Sequence, residues 1–145
     1  MLLVKTTIGP SRIHGTGLIA AEFIRKGTRI WEVTEGFDRK VPRSQVECLP
    51  EPQRLQMLRY SYTEISTGLL VICIDDDRYT NHSDTPNTRE VHTRDALAYS
   101  VALRDIVPGE EITCDYWTFD ASAEEKLGPR RVIKSKLPRT LVGTG

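Results

Sequence analysis

Residues 78–87 of the chain read RYTNHSDTPN, and residues 108–116 read PGEEITCDY. The first stretch is polar and turn-prone, because Asn, Ser and Asp side chains bond nearby backbone groups and Pro86 fixes a bend. The second begins with a tight Pro-Gly turn and continues as a short apolar-polar alternation that ends in Tyr116. An irregular polar loop and a tyrosine at the end of a strand would make two walls of one site.

Short strands separated by turn signals dominate the rest of the chain. Apolar or β-branched segments predict strands at residues 2–8, 17–21, 29–35, 69–75 and 97–103. Residues 43–60 read as helical, and Pro50 and Pro52 divide them into two short pieces. Residues 124–127 predict one further helical turn. We therefore expect a mainly β domain over residues 1–120, with a helical insert at about 38–60, followed by a basic C-terminal tail over 121–145.

The charges are unevenly distributed, although 20 basic and 20 acidic residues cancel overall. From Lys126 onward there are six basic residues and no acids, so the preceding 125 residues carry 14 basic and 20 acidic side chains. An acidic body does not suit nucleic acid, which is bound by neutralising phosphates, but it suits a basic protein segment. The alternative is an ordinary solvated surface with a frayed basic tail. No apolar run approaches the roughly 20 residues that span a bilayer, so no membrane contact is expected.

Several generic chemistries have little support in the sequence. Cys48, Cys73 and Cys114 form no Cys-x-x-Cys pair, so neither a disulfide frame nor a zinc cage is indicated and a reducing cytoplasm fits best. Cys73 lies in an apolar strand pattern, which favours a buried inert thiol over a nucleophile. The glycines of Gly15-Thr16-Gly17 are too few for a dinucleotide fingerprint. Residues 75–77, three aspartates, favour a charged turn over a cation site.

Three segments together resemble one protein family. Residues 81–87, with Asn-His-Ser and then Pro-Asn, resemble the Asn-His-Ser-Cys-x-Pro-Asn signature of SET-domain protein lysine methyltransferases. Residues 109–116 are similar to the family's Gly-Glu-Glu-Leu-Thr-Phe-Asp-Tyr. Residues 11–20, followed by Ile24-x-x-Gly27, resemble its opening motif. The resemblance covers about Val4 to Trp117, and three motifs in the right order make it specific.

The resemblance implies a fold, a cofactor and a reaction. The expected fold has several small curved sheets, with a C-terminal segment that passes through a loop to form a pseudoknot beside the Asn-His-Ser loop. S-adenosyl-L-methionine would lie on one side and a substrate lysine would enter a narrow channel from the other. Methyl transfer is an in-line displacement, so alignment of amine, methyl and sulfur carries most of the catalysis.

The resemblance also assigns residues to the cofactor. The implied contacts are His14, Gly15, Thr16, Gly17, Arg78, Tyr79, Asn81, His82, Tyr116 and Trp117. Asn81 would bond the amino acid end of the cofactor and the His82 backbone the adenine. The glycine turn would let backbone approach the cofactor closely. For the His14 side chain the favoured alternative is a turn residue outside the site.

The implied catalytic residues are Tyr116 and Tyr60, and the implied channel is formed by Tyr60, Tyr62, Cys114 and Tyr116. The Tyr116 hydroxyl would position the reacting groups, because a phenol with a pKa near 10 is a poor base at neutral pH. For Tyr116 taken alone the alternative is a core tyrosine with a bonded hydroxyl, and the match of the flanking residues favours the functional role. The resemblance does not decide whether Tyr60 or Tyr62 is the aromatic residue that lines the channel.

The departures from the family pattern carry their own expectations. Asp84 stands where the signature has cysteine and no cysteine cluster follows Tyr116, so the zinc of many relatives should be absent. This describes a minimal SET domain without pre-SET or zinc-binding post-SET segments. Trp117 and Phe119 would either pack on the adenine or be core aromatics. Cys114 replaces a Phe or Tyr that limits methylation, so room for dimethyl- or trimethyl-lysine is expected.

Two function classes remain open on the sequence. The first is a protein lysine N-methyltransferase that acts on a basic protein segment. The second is a catalytically inactive SET-fold module that recruits a protein partner; a cysteine hydrolase has little support. A homodimer is expected, because a short domain has few ways to build a substrate platform alone. The expected location is cytoplasmic, in a bacterium, or in a host cell if the protein is viral or a secreted effector.

Overall fold

The computed structural model describes residues 1–93 and 96–130. These residues form ten short strands, three short α-helices and two 3₁₀ turns, Asp76–Tyr79 and Tyr116–Thr118. The strands are β1 Thr6–Pro10, β2 Thr16–Ala20, β3 Arg29–Glu32, β4 Arg39–Val41, β5 Ser61–Thr63, β6 Leu70–Ile72, β7 Asn81–His82, β8 Thr88–Thr93, β9 Ala96–Ala102 and β10 Thr113–Cys114. The helices are α1 Arg43–Glu47, α2 Glu51–Arg59 and α3 Ala123–Leu127. Within the described ranges there is no helix long and apolar enough to cross a membrane.

The strands form four small sheets instead of one large one. β1 and β2 make an antiparallel hairpin, β3-β9-β8 and β4-β6-β5 are three-stranded antiparallel sheets, and β7 pairs with β10 in parallel. The main core lies between these layers and includes the fully buried Leu18, Ile24, Ile30, Ile106 and Ile112. A second apolar cluster is Trp31, Val33, Cys73 and Ala98.

The sequence predicted most of these elements, with specific corrections. The two helices at 43–47 and 51–59 match the two predicted pieces, and Pro52 lies in the first turn of α2, where its missing N–H costs nothing. The predicted insert at about 38–60 begins with a strand, β4, which pairs with β6. The first strand begins at Thr6 instead of residue 2, since Leu2 makes only an isolated bridge to Trp31. β8 was not predicted, because its sequence, TREVHT, is too polar to give a strand signal. Such a sequence suits the edge of a sheet, where β8 lies.

A threaded segment holds the C-terminal part of the domain beside the Asn-His-Ser loop. β10 pairs in parallel with β7 on one side, and the Ser83 N–H donates to the Cys114 carbonyl at 2.9 Å. On the other side, the Thr113 N–H donates to the Asn87 Oδ1 and the Thr88 hydroxyl donates to the Thr113 carbonyl, both at 2.8 Å. The loop between β7 and β8 therefore surrounds β10, which is the predicted pseudoknot.

Candidate active site

Two cavities meet at a common wall formed by the end of α2, the two 3₁₀ turns and α3. The larger, called here the cleft, has a volume of about 510 Å³, and the small cavity has about 60 Å³. Five residues line both and are called the shared wall: Arg59, Tyr60, Arg78, Tyr116 and Lys126. Tyr116 and Tyr60, the two predicted catalytic residues, therefore lie between the two spaces.

The cleft brings together most of the predicted cofactor contacts. Besides the shared wall, it is lined by Ile13, His14, Gly15, Thr16, Tyr79, Asn81, His82 and Leu127. Its volume lies in the range of roughly 300–1,000 Å³ that is typical of sites for small organic ligands. His14 belongs to this lining, so it is not outside the site. Gly17 and Trp117 do not line the cleft.

The two glycines of the Gly15-Thr16-Gly17 turn serve different purposes. Gly15 has a φ of +53°, in the left-handed region that only glycine adopts without strain. A Cβ at Gly17 would lie 2.4 Å from Oε1 of Glu111 and 3.1 Å from Cβ of Ser11. The prediction that both glycines let backbone approach the cofactor is therefore corrected for Gly17, whose missing side chain makes room for a carboxylate.

Glu111 organises the cleft-side loops, and the sequence argument did not assign it a role. Its Oε1 accepts a 2.8 Å hydrogen bond from the Ser11 hydroxyl and a 2.9 Å bond from the Asn81 Nδ2. The Asn81 nitrogen also lies 3.1 Å from the carbonyl oxygens of His14 and Thr16. Three oxygens around one atom identify it as the nitrogen of the amide. The amide oxygen Oδ1 is then the atom with which Asn81 would bind a ligand donor.

The His82 ring has a defined tautomer because of its backbone neighbour. The Tyr116 N–H donates to the His82 Nδ1 at 3.2 Å, so in the neutral ring the proton is on Nε2. Nε2 faces Asp84 Oδ1 at 3.3 Å. The histidine thus fixes the backbone at Tyr116 and links β7 to the segment after β10.

The Tyr116 side chain is held at both ends. Its hydroxyl donates a 2.6 Å hydrogen bond to the Thr80 carbonyl, and its ring packs against His82 and Phe119 with centroid distances of 5.6 and 5.9 Å. Burial raises the pKa of Tyr116 well above its usual value, and Cys114 adds to the effect. The phenol therefore keeps its proton at neutral pH.

The small cavity contains the remaining predicted channel residues, Tyr62 and Cys114, together with Tyr60 and Tyr116. Cys114 is buried in β10, and burial raises the pKa of its thiol well above the usual range, as it does for Cys73. Cys73 is a buried thiol, as predicted. Neither sulfur has the depressed pKa that a cysteine nucleophile needs.

Two acidic side chains in the small cavity were not predicted. Asp77 was interpreted only as part of a charged turn, and Glu90 was not singled out, yet both line this cavity. Burial raises the pKa of Asp77 to about 7, with nearby Asp75 adding to the shift, and burial raises the pKa of Glu90 to about 8, with Asp77 adding. Asp75 has a structural role, since its carboxylate accepts from the backbone N–H groups of Leu2 and Asp77.

Lys126 of α3 closes the site from the C-terminal side. Its Nζ donates 2.6 Å hydrogen bonds to the Asp120 Oδ2 and the Ser61 carbonyl, and lies 5.6 Å from the centre of the Tyr116 ring. Asp120 is almost completely buried and its other oxygen accepts from Thr63 N–H and from Ser122. The sequence had placed Lys126 in a helical turn at the start of a basic tail and had given it no role in the site.

The two aromatic residues after Tyr116 lie on different sides. Phe119 is buried, lines the small cavity and packs edge-on against Tyr62 at a centroid distance of 5.0 Å, so it is a core aromatic on the channel side. The Trp117 ring lies 5.6 Å from the Arg130 guanidinium. Of the two alternatives for Phe119, the structure favours the core aromatic, because its buried ring faces the small cavity.

Comparisons with known proteins place this geometry in a family. The SET domain family model matches residues 15–117. Three similar solved structures are a humanized mutant of Chaetomium thermophilum Polycomb Repressive Complex 2 bound to an inhibitor, the same fungal complex in an autoinhibited conformation bound to S-adenosylmethionine, and a candidate histone methyltransferase of Plasmodium falciparum. A comparison with curated protein sequences gave no significant match.

The likeness to these structures is one of fold. The TM-scores are 0.62, 0.61 and 0.56 in that order, each at 22% identity. The matches cover 84%, 86% and 79% of this chain, and 16%, 16% and 95% of the other chains. The chain thus spans about one sixth of the Polycomb chains that it matches and nearly all of the Plasmodium chain. The family model covers most of the chain and the threaded segment is present, so the protein belongs to the SET-domain family.

Proposed function

We propose that the protein is an S-adenosylmethionine-dependent protein-lysine N-methyltransferase that modifies a lysine in a basic protein segment. The observation that carries the proposal is the shared wall, in which Tyr116 and Tyr60 lie between a cleft and a small cavity. A methyl donor in the cleft and an amine in the small cavity would meet across these two tyrosines. Family membership supports methyl transfer, and the substrate is part of the proposal.

The residues of the cleft fit S-adenosylmethionine. The turn at Gly15 and Thr16 and the amide of Asn81 offer polar groups for the amino acid end, while Tyr79 and His82 offer rings for the adenine and ribose. The Asn81 amide is already oriented by Glu111 and two backbone carbonyls, so little ordering is required when a ligand binds. When bound, the cofactor would supply an electrophilic methyl group on a sulfonium.

Positioning by the tyrosines would supply most of the chemistry. The Tyr116 hydroxyl is fixed by the Thr80 carbonyl, so its oxygen is held beside the junction of the two spaces. A lysine amine has a pKa of about 10.4 in water and must lose a proton before it can attack. Arg59, Arg78 and Lys126 put positive charge on the shared wall, which lowers the pKa of an amine that binds next to it.

Charge complementarity supports a basic protein as the substrate. The residues before Lys126 carry an excess of six acids, which would attract lysine- or arginine-rich segments. The small side chain of Cys114 supports the further proposal that the small cavity has room for a dimethyl- or trimethyl-lysine. A mass spectrum with only monomethyl-lysine under excess cofactor would contradict that part of the proposal.

The decisive experiment compares wild type with Tyr116→Phe. Wild type should show a higher melting temperature with S-adenosylmethionine and transfer labelled methyl groups to lysines in a panel of basic proteins. Tyr116→Phe should still bind the cofactor but lose methyl transfer by about a hundredfold or more, as expected when an oriented polar group is removed. No thermal shift in wild type, together with no transfer, would favour a SET-fold interaction module without catalytic activity.

Location and assembly remain part of the proposal. Three free cysteines, of which Cys73 and Cys114 are buried, support a reducing compartment such as the cytoplasm. We also propose a homodimer, in which a basic tail reaches the acidic surface of a second copy; most of that tail lies outside the described residues. Sedimentation at several salt concentrations would test this, because an electrostatic dimer weakens as salt rises.

A further inference from the structure

The charged residues of the small cavity are segregated by sign. Its three basic side chains, Arg59, Arg78 and Lys126, all belong to the shared wall. The acidic side chains Asp77, Glu90 and Asp120 line only the part that is not shared with the cleft. Asp120 is neutralised by Lys126 at 2.6 Å, so Asp77 and Glu90 are the two acids left in this space.

Three buried polar atoms in the same lining have no hydrogen-bond partner among the described residues. They are Oε2 of Glu90 and the hydroxyls of Tyr62 and Ser61. Asp77 is also under-used: Oδ1 accepts from the Thr80 hydroxyl at 3.2 Å, while Oδ2 has only the weak donor Sγ of Cys73 at 3.9 Å. A native fold rarely leaves buried polar atoms unpaired, and such atoms indicate a missing partner.

The missing partner is defined by charge and hydrogen-bonding capacity. Glu90 Oε2 and Asp77 Oδ2, with the hydroxyl oxygens of Tyr62 and Ser61, provide enough acceptors for the three N–H donors of a lysine ammonium group. A buried carboxylate is costly unless a cation accompanies it, and an entering ammonium would supply that cation. The volume of about 60 Å³ suits a small head group next to the tyrosines.

We infer that Glu90, with Asp77 and Tyr62, forms an ammonium-recognition pocket that selects a target lysine by the number of N–H bonds it still carries. This inference rests on the proposed function, since it names the head group of that same substrate. Each added methyl group removes one donor, so recognition weakens from the free amine to the trimethylated one. The small side chain of Cys114 leaves space for methyl groups on the lysine nitrogen. The acidic residues determine which methylation states of the lysine are bound most tightly.

Glu90 also provides a place for the proton that must leave the amine. A proton moves from the target nitrogen to Oε2: the N–H bond breaks, an O–H bond forms, and the nitrogen keeps the electron pair with which it displaces S-adenosylhomocysteine from the methyl group. The methylated product carries the positive charge, the protonated Glu90 is neutral, and the departing thioether is neutral. Charge is conserved, and no further reactant is required.

A series of small amines tests the pocket without a known substrate. The probes are n-butylammonium and its N-methyl, N,N-dimethyl and N,N,N-trimethyl derivatives, titrated by NMR into the protein saturated with S-adenosylhomocysteine. Because a hydrogen bond to a charged group contributes about 1.5–3 kcal/mol, wild type should bind butylammonium at least about tenfold more tightly than the trimethyl derivative. Glu90→Gln should reduce that ratio to about twofold, while Glu35→Gln, at an exposed site far along the chain from this cavity, should keep it.

Several outcomes would overturn the inference. These are no amine binding in wild type, equal or tighter binding of the trimethyl derivative, or an unchanged ranking in Glu90→Gln. A different result would assign the acids to the cofactor. In that case Glu90→Gln would bind S-adenosylmethionine more weakly than S-adenosylhomocysteine, while the ranking of the amines stayed intact, so the acids would recognise the sulfonium. If Glu90→Gln does not fold, Tyr62→Phe serves as the second variant and should reduce the ratio to a smaller extent.

The same data separate this inference from the proposed function. If wild type binds cofactor and transfers methyl groups but shows no selectivity among the amines, only the inference about the ammonium-recognition pocket is overturned. Absence of a thermal shift with S-adenosylmethionine and of methyl transfer overturns the proposed function, whatever the amines do.

Discussion

Asn81 and Glu111 are joined by a 2.9 Å hydrogen bond between the Asn81 Nδ2 and the Glu111 Oε1. Asn81 lies in β7, and Glu111 forms an isolated bridge with Ile19 of β2. The bond therefore connects the Asn-His-Ser loop, the hairpin that carries the glycine turn and the segment that enters the threaded β10. Glu111 contributes to the cleft without lining it, because it orients a residue that does.

Gly17→Ala should disrupt this connection. A Cβ at Gly17 would lie 2.4 Å from the Glu111 Oε1, so the carboxylate must move and release Ser11 and Asn81. We expect a loss of about 1–3 kcal/mol in the free energy of unfolding, typical of overpacking. Cofactor affinity, measured by calorimetry, should fall about tenfold or more because Asn81 loses its orientation.

Gly9→Ala is the matched control for this prediction. Gly9 also lies in the β1-β2 hairpin and pairs with Gly17, but its added Cβ would meet only the Ile19 Cγ1 at 3.8 Å, an ordinary contact. Stability and cofactor affinity should stay within about 0.5 kcal/mol of wild type. If the two substitutions had equal effects, any side chain added to the hairpin would be destabilising whether or not it displaces Glu111. The role given to Glu111 would then be wrong.

The sequence predicted local features of this site better than long-range ones. Pro50 and Pro52 divided the helical insert correctly, because proline acts on its own backbone. Glu111, Glu90 and Lys126 were missed because each acquires its role from residues distant in sequence, such as Asn81 at a separation of 30 and Ser61 at 65.

Lys126→Met should destabilise the domain by removing the partner of a buried carboxylate. Asp120 is almost completely buried, and Lys126 is the cation that contacts it among the residues the structure describes. Removing one member of a buried ion pair typically costs about 3–5 kcal/mol, although the partial exposure of Lys126 places this case near the lower end. Denaturant unfolding would measure the loss.

The exposed pair between Arg43 and Glu125 provides the control for Lys126. It joins the same helix α3 to α1 at 3.0 Å, but both side chains are exposed to solvent by a third or more. Glu125→Gln should change stability by less than about 1 kcal/mol. A large loss in both variants would indicate that docking of α3, and not the buried carboxylate, determines the result.

Tyr62→Phe should stabilise the empty protein while weakening amine recognition. The Tyr62 hydroxyl is buried without a hydrogen-bond partner within residues 1–93 and 96–130, so its removal relieves an unpaired polar atom and should add about 1 kcal/mol to the free energy of unfolding. Tyr116→Phe, in contrast, removes a 2.6 Å bond to the Thr80 carbonyl and should cost about 1 kcal/mol. Thermal unfolding of both variants would measure whether their stabilities change in opposite directions. A Tyr62→Phe variant less stable than wild type would show that the Tyr62 hydroxyl has a hydrogen-bond partner.

Glu90→Gln should change how the stability of the protein depends on pH. Burial raises the pKa of Glu90 to about 8 from an ordinary 4.5, so between these values the folded protein holds a proton that the unfolded chain has released. The stabilisation from this proton is complete below pH 4.5 and is lost as the pH rises through 8, so wild-type stability should fall across this window. Asp77, whose pKa burial raises to about 7, contributes in the same direction and remains in the variant.

Denaturant unfolding at pH 5, 7 and 9 would measure the difference. Glutamine has no proton to lose, so the variant should lose less stability than wild type between pH 5 and 9, by about 4 kcal/mol, because about three pH units separate pH 5 from the folded pKa and each corresponds to about 1.4 kcal/mol. Glu35→Gln, at an exposed position, should follow the wild-type curve. Parallel curves of stability against pH for wild type and Glu90→Gln would mean that Glu90 is ionised in the empty cavity. Its carboxylate would then already have a cation beside it, and Lys126 would be the first candidate for that cation.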